Sequence, residues 1–263
     1  MLLGDNMKKL FILISMAVFV GITSPLYAIT ITEDFSFYGD SANIIGVSGG
    51  GTNWDDDWVK GHDNITFVTD AGLETGKLTT STSVTDAHRT FNTTLTSIDS
   101  ISIQMKQSAF SAGGGFYGGF QLASDTGVVG IWMSFYSASS NLNLRGFETY
   151  TYPSGTGKNL ADVVTTGEFH TITITDVDFG EGTYTAQLDA ELAKTDFKFY
   201  NNADISNFKA LNLVQGNTGT YTNFNEISIN GVPEPSTYAL FGLGLFGLAY
   251  FRGRNKRLVS RKL

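Results

Sequence analysis

Ile101-Ser102-Ile103-Gln104-Met105 places an apolar side chain at every second position, with a polar one between. Successive side chains of an extended strand point to opposite faces, so period two marks a strand with one face in a core and the other toward water. The alternation recurs along the chain. Ile172 and Ile174 alternate with Thr171, Thr173 and Thr175, and Tyr184, Ala186 and Leu188 follow the same rule. Leu142 with Leu144, Leu211 with Leu213, and Ile227 with Ile229 repeat it. Residues 128–136 are nearly all apolar, which predicts a central strand, buried on both faces or lining a groove. Turn-forming clusters separate the runs: Gly49-Gly50-Gly51, Asp70-Ala71-Gly72, Gly113-Gly114-Gly115, Ser154-Gly155 and Gly180-Glu181-Gly182. Such clusters punctuate extended segments. Helical periodicity extends to no more than a turn or two, near residues 160–164 and 189–194. About a dozen strands in one body predict an all-β fold, a two-sheet antiparallel sandwich.

The two ends read differently. Lys8 and Lys9 precede an apolar run, residues 10–22, and Thr23-Ser24-Pro25-Leu26-Tyr27-Ala28 follows. Basic, apolar, then small-residue order is that of a secretory signal peptide, with an apolar signal helix and cleavage expected after Ala28. Met1 to Asn6 add nothing the signal needs, so Met7 serves equally as the start. At the other end, Val232-Pro233-Glu234-Pro235-Ser236 leads into a fifteen-residue apolar run, residues 237–251, and then into Arg252, Arg254, Lys256 and Arg257. As a helix that run would be roughly 22 Å long, against a bilayer core of about 30 Å. Gly242, Gly244 and Gly247 loosen it further. It suits a short transmembrane helix that anchors for a time, with the basic cluster as its cytoplasmic stop. Pro233 and Pro235 break regular structure, which predicts an extended hinge with Glu234 accessible between them.

These boundaries leave residues 29–231 as the body, with residues 1–28 as signal, 232–257 as the C-terminal unit and 258–263 as a tail. About 200 residues suffice for one domain with a proper core. The chain has 17 Lys and Arg against 25 Asp and Glu. Two of the bases lie in the signal and six after Phe251, while Asp5 and Glu234 lie outside the body, so the body carries roughly −14 rather than the −8 of the whole chain. Phosphate binding needs clustered Lys and Arg, so nucleic acid is not the expected partner. There is no cysteine. That excludes a Cys nucleophile and Cys metal sites, and a body this large needs no disulfide.

The order of Pro-Glu-Pro, apolar run and basic cluster resembles the PEP-CTERM sorting signal of bacterial exported proteins, which an exosortase recognises and is thought to cleave. The resemblance implies a precursor held transiently in the inner membrane, a host that makes exopolysaccharide, and a role at the cell surface or in the extracellular matrix. The body resembles concanavalin A-like, laminin-G-like jelly rolls in layout. Thr32-Glu33-Asp34-Phe35-Ser36 stands as a first strand and Phe224-Asn225-Glu226-Ile227-Ser228-Ile229 as a last. Phe169-His170-Thr171-Ile172-Thr173-Ile174, a turn and Gly182-Thr183-Tyr184-Thr185-Ala186 stand as a hairpin pair. A galactose-binding-like jelly roll would leave much the same trace. Two readings of the body follow: a non-enzymatic structural or glycan-binding module, or a polysaccharide-active enzyme, hydrolase or lyase.

Several clusters are candidates for chemistry. Asn53-Trp54-Asp55-Asp56-Asp57-Trp58 is the densest polar stretch. Asp55, Asp56 and Asp57 offer oxygens suited to calcium, and Trp54 and Trp58 offer rings for a sugar. The competing reading is an exposed acidic loop whose tryptophans pack back on the sheet. Asp176-Val177-Asp178-Phe179-Gly180-Glu181-Gly182 loosely resembles a calcium loop, but a hairpin turn explains it with less. The stretch from Gly113 to Gly119, with Phe116 and Tyr117, reads as an aromatic loop over a groove or as a hairpin connection capping the core. Glycosidases of the family-16 type place acids as Glu-x-Asp-x-x-Glu on one strand, and no such string occurs. Asp189 and Glu191 have the spacing without a third acid. His62, His88 and His170 are scattered, and each is expected to be structural. Gly-x-Ser-x-Gly, His-Glu-x-x-His and a phosphate loop are all missing, so no catalytic residue and no cofactor is assigned.

Overall fold

A computed structural model describes residues 28–40, 42–61, 63–70, 73–81, 85–112, 115–137, 140–151 and 154–233. Residues Ala28–Pro233 form one compact unit. Among the described residues there are fifteen strands: β1 Ile29–Asp34, β2 Gly51–Thr52, β3 Val59–Lys60, β4 Ile65–Asp70, β5 Thr75–Thr80, β6 Thr85–Gln107, β7 Gly115–Ala123, β8 Val129–Ser137, β9 Asn143–Thr151, β10 Ser154–Ala161, β11 His170–Asp178, β12 Thr183–Leu188, β13 Lys194–Lys198, β14 Phe208–Gln215 and β15 Tyr221–Pro233. The helical content of the described residues is two short 3-10 turns, Phe35–Tyr38 and Tyr200–Asn202.

The organising element is β6, 23 residues long. Its first half, Thr85 to Leu95, pairs with β14. Its second half pairs with β15 on one side and β11 on the other. One strand therefore serves both layers of the sandwich. The front sheet runs β10-β9-β8-β7-β14-β6, and the back sheet continues β6-β11-β12-β13 in one direction. On its other side lies β15, which carries β1 and β5 along its length. All these ladders are antiparallel, as short hairpin connections allow. The inward faces meet in one large core, with Phe120, Ile131 and Met133 of the front sheet against Ile172, Ile174 and Ile227 of the back. Tyr184 of β12 crosses the gap, its hydroxyl 3.5 Å from Met133 Sδ.

The period-two reading locates the core. Ile101, Ile103, Ile172, Ile174, Leu188, Ile227 and Ile229 are all buried, at 3 % exposure or less. At about 25 cal/mol per Å² of apolar surface, each such side chain contributes roughly 2 kcal/mol relative to leaving it exposed. Residues 129–136 form most of β8, buried on both faces, while Val128 precedes it and is exposed.

Three local expectations need correcting. Residues 160–164 are the end of β10 and a loop, and residues 189–194 are a turn into β13, so neither is helical. Gly115 to Gly119 is strand rather than loop, with Phe116 and Tyr117 buried. Its glycines serve packing: a Cβ on Gly119 would run into the Met133 carbonyl of β8, and one on Gly118 into the Thr222 hydroxyl. Lastly, β15 runs through Val232 to Pro233, two residues past the boundary expected at residue 231. Pro233 is tolerated because it is the last ladder residue, where a missing N–H costs least.

Candidate functional site

The acidic loop between β2 and β3 proves to be a structural tie. Trp58 is fully buried, and its Nε1 donates to Glu33 Oε2 at 3.0 Å. It presents no ring face to a ligand, so the sugar-stacking expectation fails there; the sequence cannot show that an inward carboxylate waits for its N–H. Trp54 is half-buried, donates through Nε1 to the Thr32 carbonyl at 2.7 Å and lies 4.9 Å from the Arg89 guanidinium. Asp56 Oδ1 accepts the Thr90 N–H at 2.9 Å, and Asp55 faces Lys209 at 3.8 Å. Among the described residues no group of three or more acids or histidines is drawn together in a way that could hold a metal ion.

Beneath that loop lies an ion pair inside the sandwich. Glu33 of β1 points inward beside Ile31, and Arg89 of β6 points inward from the front sheet. Arg89 Nη1 donates to Glu33 Oε2 at 2.6 Å, with 5 % and 0 % of the two side chains exposed. Tyr38 donates to Oε1 at 3.2 Å, and Arg89 Nε donates to the Asp56 carbonyl at 2.7 Å. Burial pushes the Glu33 carboxyl up to about 7, with Arg89 and the three donors holding it from going higher. The same burial, with the neighbouring carboxylate, raises the Tyr38 hydroxyl.

The other sequence candidates resolve into structure. Asp178 Oδ1 accepts the N–H groups of Gly180 and Glu181, at 2.8 and 3.0 Å, which closes a hairpin turn. Asp189 holds His170 Nδ1 at 2.9 Å and caps the Thr171 N–H at 2.7 Å. Ala28 is exposed at the start of the body. Val232 and Pro233 belong to β15. The expectations placed on the signal segment, on His62, on Glu234, Pro235 and Ser236, and on Arg252, Arg254, Lys256 and Arg257 fall outside the described residues. Among the described residues no helix is long and apolar enough to cross a membrane.

What the alternation did not name is the outward face of the front sheet. In β8, Ile131, Met133 and Phe135 enter the core, so Trp132, Ser134 and Tyr136 point the other way. Ladder partners share a face, and the register therefore lays out rows across four and six strands. One row is His88, Asn212, Gln121 and Trp132; the next is Asp86, Val214, Gly119, Ser134, Arg145 and Asn159. At ~4.8 Å between strands, the distance from β6 to β9 is about 19 Å. Trp132 is the floor of an aromatic group, with Phe116, Phe147 and Tyr200 at 5.4, 5.0 and 5.0 Å between ring centroids. Polar groups stand beside it, half-buried. Gln121 Oε1 accepts from Asn212 at 3.2 Å, Arg145 Nε donates to Asn159 Oδ1 at 2.8 Å, and the Arg145 guanidinium sits 4.5 Å over the Tyr136 ring. Asp86 lies 3.2 Å from His88 Nδ1, and that hydrogen bond, outweighing partial burial, holds the imidazole above its ordinary pKa. Trp132, Phe116, Phe147 and Tyr136 are 5 % exposed or less, so the rings pack as a second core beneath the polar groups, and it is Gln121, Asn212, Arg145 and Asn159 that can hydrogen-bond to a polyhydroxylated chain.

Comparison with known proteins divides the chain in two. A model of the PEP-CTERM protein-sorting motif matches residues 231–255. The chain carries a PEP-CTERM sorting motif. This motif implies an exported precursor, anchored at the membrane and processed at the cell envelope by an exosortase. The PEP-CTERM match covers about a tenth of the chain and leaves the activity of the body open. The body has a jelly-roll sandwich fold and resembles concanavalin A-like jelly rolls in that fold. A double mutant of alginate lyase Aly36B in complex with alginate trisaccharide is similar at TM-score 0.50 and 10 % identity, covering 77 % of this chain and 98 % of that one. At that identity it shows the fold alone. Lectin UEA-II complexed with galactose (0.45, 10 %, 78 % and 99 %) and the Bacillus licheniformis beta-glucanase (0.42, 12 %, 76 % and 97 %) are looser likenesses and add nothing to it. No curated protein sequence matches the chain.

Proposed function

We propose that this protein is an exosortase-sorted envelope or extracellular-matrix component whose body is a non-enzymatic module that binds glycan, with exopolysaccharide as its partner. The observation that carries the reading is the outward face of the front sheet, where the half-buried Gln121, Asn212, Arg145 and Asn159 share one surface, held in place by the buried rings beneath them. Across the described residues of its row, Asp86 faces along Val214, Gly119 and Ser134 to the cation Arg145, where a glycosidase sets a second carboxylate. The test is glycan-array binding by the mature protein, followed by Gln121→Ala and Arg145→Ala. Binding that falls at least tenfold with an unchanged melting temperature supports the site; no retained glycan, or variants that bind as the parent does, overturns it.

A second reading, a polysaccharide-active enzyme on the same face, is favoured by the pair His88–Asp86. A half-exposed imidazole with a raised pKa is a proton carrier suited to acid–base work. New chain ends released from a polysaccharide, by hydrolysis or by elimination, would decide for it.

A further inference from the structure

The sorting match begins at residue 231, and β15 ends at Pro233, so folded body and address overlap by three residues. Gly231 pairs with Ile98, Val232 with Ser97 and Pro233 with Leu95. The Thr96 hydroxyl donates to the Val232 carbonyl at 3.4 Å. Val232 and Pro233 are half-buried. Only Glu234, Pro235 and Ser236 then separate the ladder from the apolar run. Three residues reach at most about 10 Å when fully extended. An enzyme that reads an extended segment needs backbone and side chains free to enter it, and residues 231–233 are committed to β6 until the ladder opens.

We propose that the end of β15 is a latch on the sorting signal: an exosortase engages the segment when Gly231, Val232 and Pro233 peel from residues 95–98, so the folded body sets the rate of its own processing. The inference rests on the exosortase reading above. Peeling doubles the free chain and extends its reach to about 20 Å. The latch is built to open. The ladder is irregular there, with register shifts between Asn230 and Gly231 and between Val232 and Pro233. Pro233 has no N–H to contribute. Residues at the end of a ladder open at little cost compared with the core, so the sandwich need not unfold.

The chain has no cysteine, so a single engineered pair can lock the latch. Ser97→Cys and Val232→Cys stand opposite each other in the ladder, within the reach of a disulfide. The full-length double variant is expressed with an exosortase, the bridge is confirmed by mass spectrometry, and loss of the tail is followed with and without reductant. Closing the bridge should slow processing by about tenfold or more, because opening is then forbidden rather than cheap. Reduction should restore the parental rate. A Gly-Ser-Gly-Ser-Val-Pro insertion between Pro233 and Glu234 leaves Val232 and Pro233 in the ladder and restores an unbroken Val-Pro-Glu-Pro-Ser beyond it, so it should release the locked chain, because motif and reach are regained without peeling. A bridged chain processed at the parental rate, or one that stays slow despite the insertion, overturns the latch alone. A parental chain that keeps its tail overturns the sorting reading and the latch with it.

Discussion

Replacing Glu33 by alanine removes the acceptor from three donors at once: Arg89 Nη1 at 2.6 Å, Trp58 Nε1 at 3.0 Å and the Tyr38 hydroxyl at 3.2 Å. Tyr38 keeps the Gly49 carbonyl at 3.0 Å and Arg89 keeps the Asp56 carbonyl. Trp58 loses its partner, and Arg89, 5 % exposed, loses an acceptor and, above the pKa of the carboxyl, its counter-charge. Breaking a buried pair from one side costs about 3–5 kcal/mol. In a domain of this size each kcal/mol moves the melting temperature by roughly 2–4 °C, so Glu33→Ala should melt some 6–20 °C lower. Glu33→Leu with Arg89→Met should recover most of that, because no charge is then left buried alone. The pH dependence carries a definite sign. The Glu33 carboxyl lies near 7 folded against 4.5 unfolded, so between those values the folded chain holds a proton that the unfolded chain has lost. Stability from this group is full below pH 4.5 and declines as pH rises toward 7. Calorimetry of the purified body reads both effects, the pH slope across that range and the loss of the ion pair above it. A loss below about 1 kcal/mol in Glu33→Ala, or a parental pH slope unchanged in Glu33→Gln, would refute the reasoning.

Two further outcomes follow from the front sheet. Asp86→Asn should lower the His88 titration midpoint toward the ordinary value of 6.5, since the Asp86 hydrogen bond is the main cause of the raised pKa; an imidazole NMR titration that does not move would remove the pairing. The stability His88 gains from Asp86 is present below its unfolded midpoint and is lost as pH rises through the raised one. Gly119→Ala should cost about 1–3 kcal/mol in denaturant unfolding, because its Cβ meets the Met133 carbonyl rather than a side chain that can turn away. A neutral result would mean that β7 and β8 separate without penalty.

Period two was enough to find the core because it depends only on neighbours along the chain. Ile101 and Ile103 face inward whatever strand lies beside them. It could not show that β6 is one strand serving two sheets. Thr85 to Gln107 alternates at both ends, but between Phe91 and Ile101 the buried positions come at intervals of three and four, and the passage from one layer to the other near Leu95 is a change of partner from β14 to β15, with no turn residue to mark it. Glycine misled for a related reason. Gly118 and Gly119 look like loop chemistry in sequence, yet they are strand residues chosen for close approach to neighbours that only the fold supplies.

The site was illegible for the same physical cause, taken one step further. His88, Gln121, Trp132, Arg145 and Asn212 lie far apart in sequence, with no spacing to connect them. They become neighbours through the order β9-β8-β7-β14-β6 and through a register in which one residue of slip would send each of them into the core. The expectation that residues 128–136 are buried on both faces came nearest, since a run apolar on both faces must bury its second face against something. That second face holds Trp132 and Tyr136, and its polar neighbours come from strands on either side. The acidic loop attracted attention because its residues are contiguous, and contiguity is what a sequence displays best. Its charges were in fact recruited locally, to cap Thr90 and face Lys209, while the carboxylate that matters beneath it, Glu33, sat unremarked inside a strand whose alternation called for an apolar residue at that position.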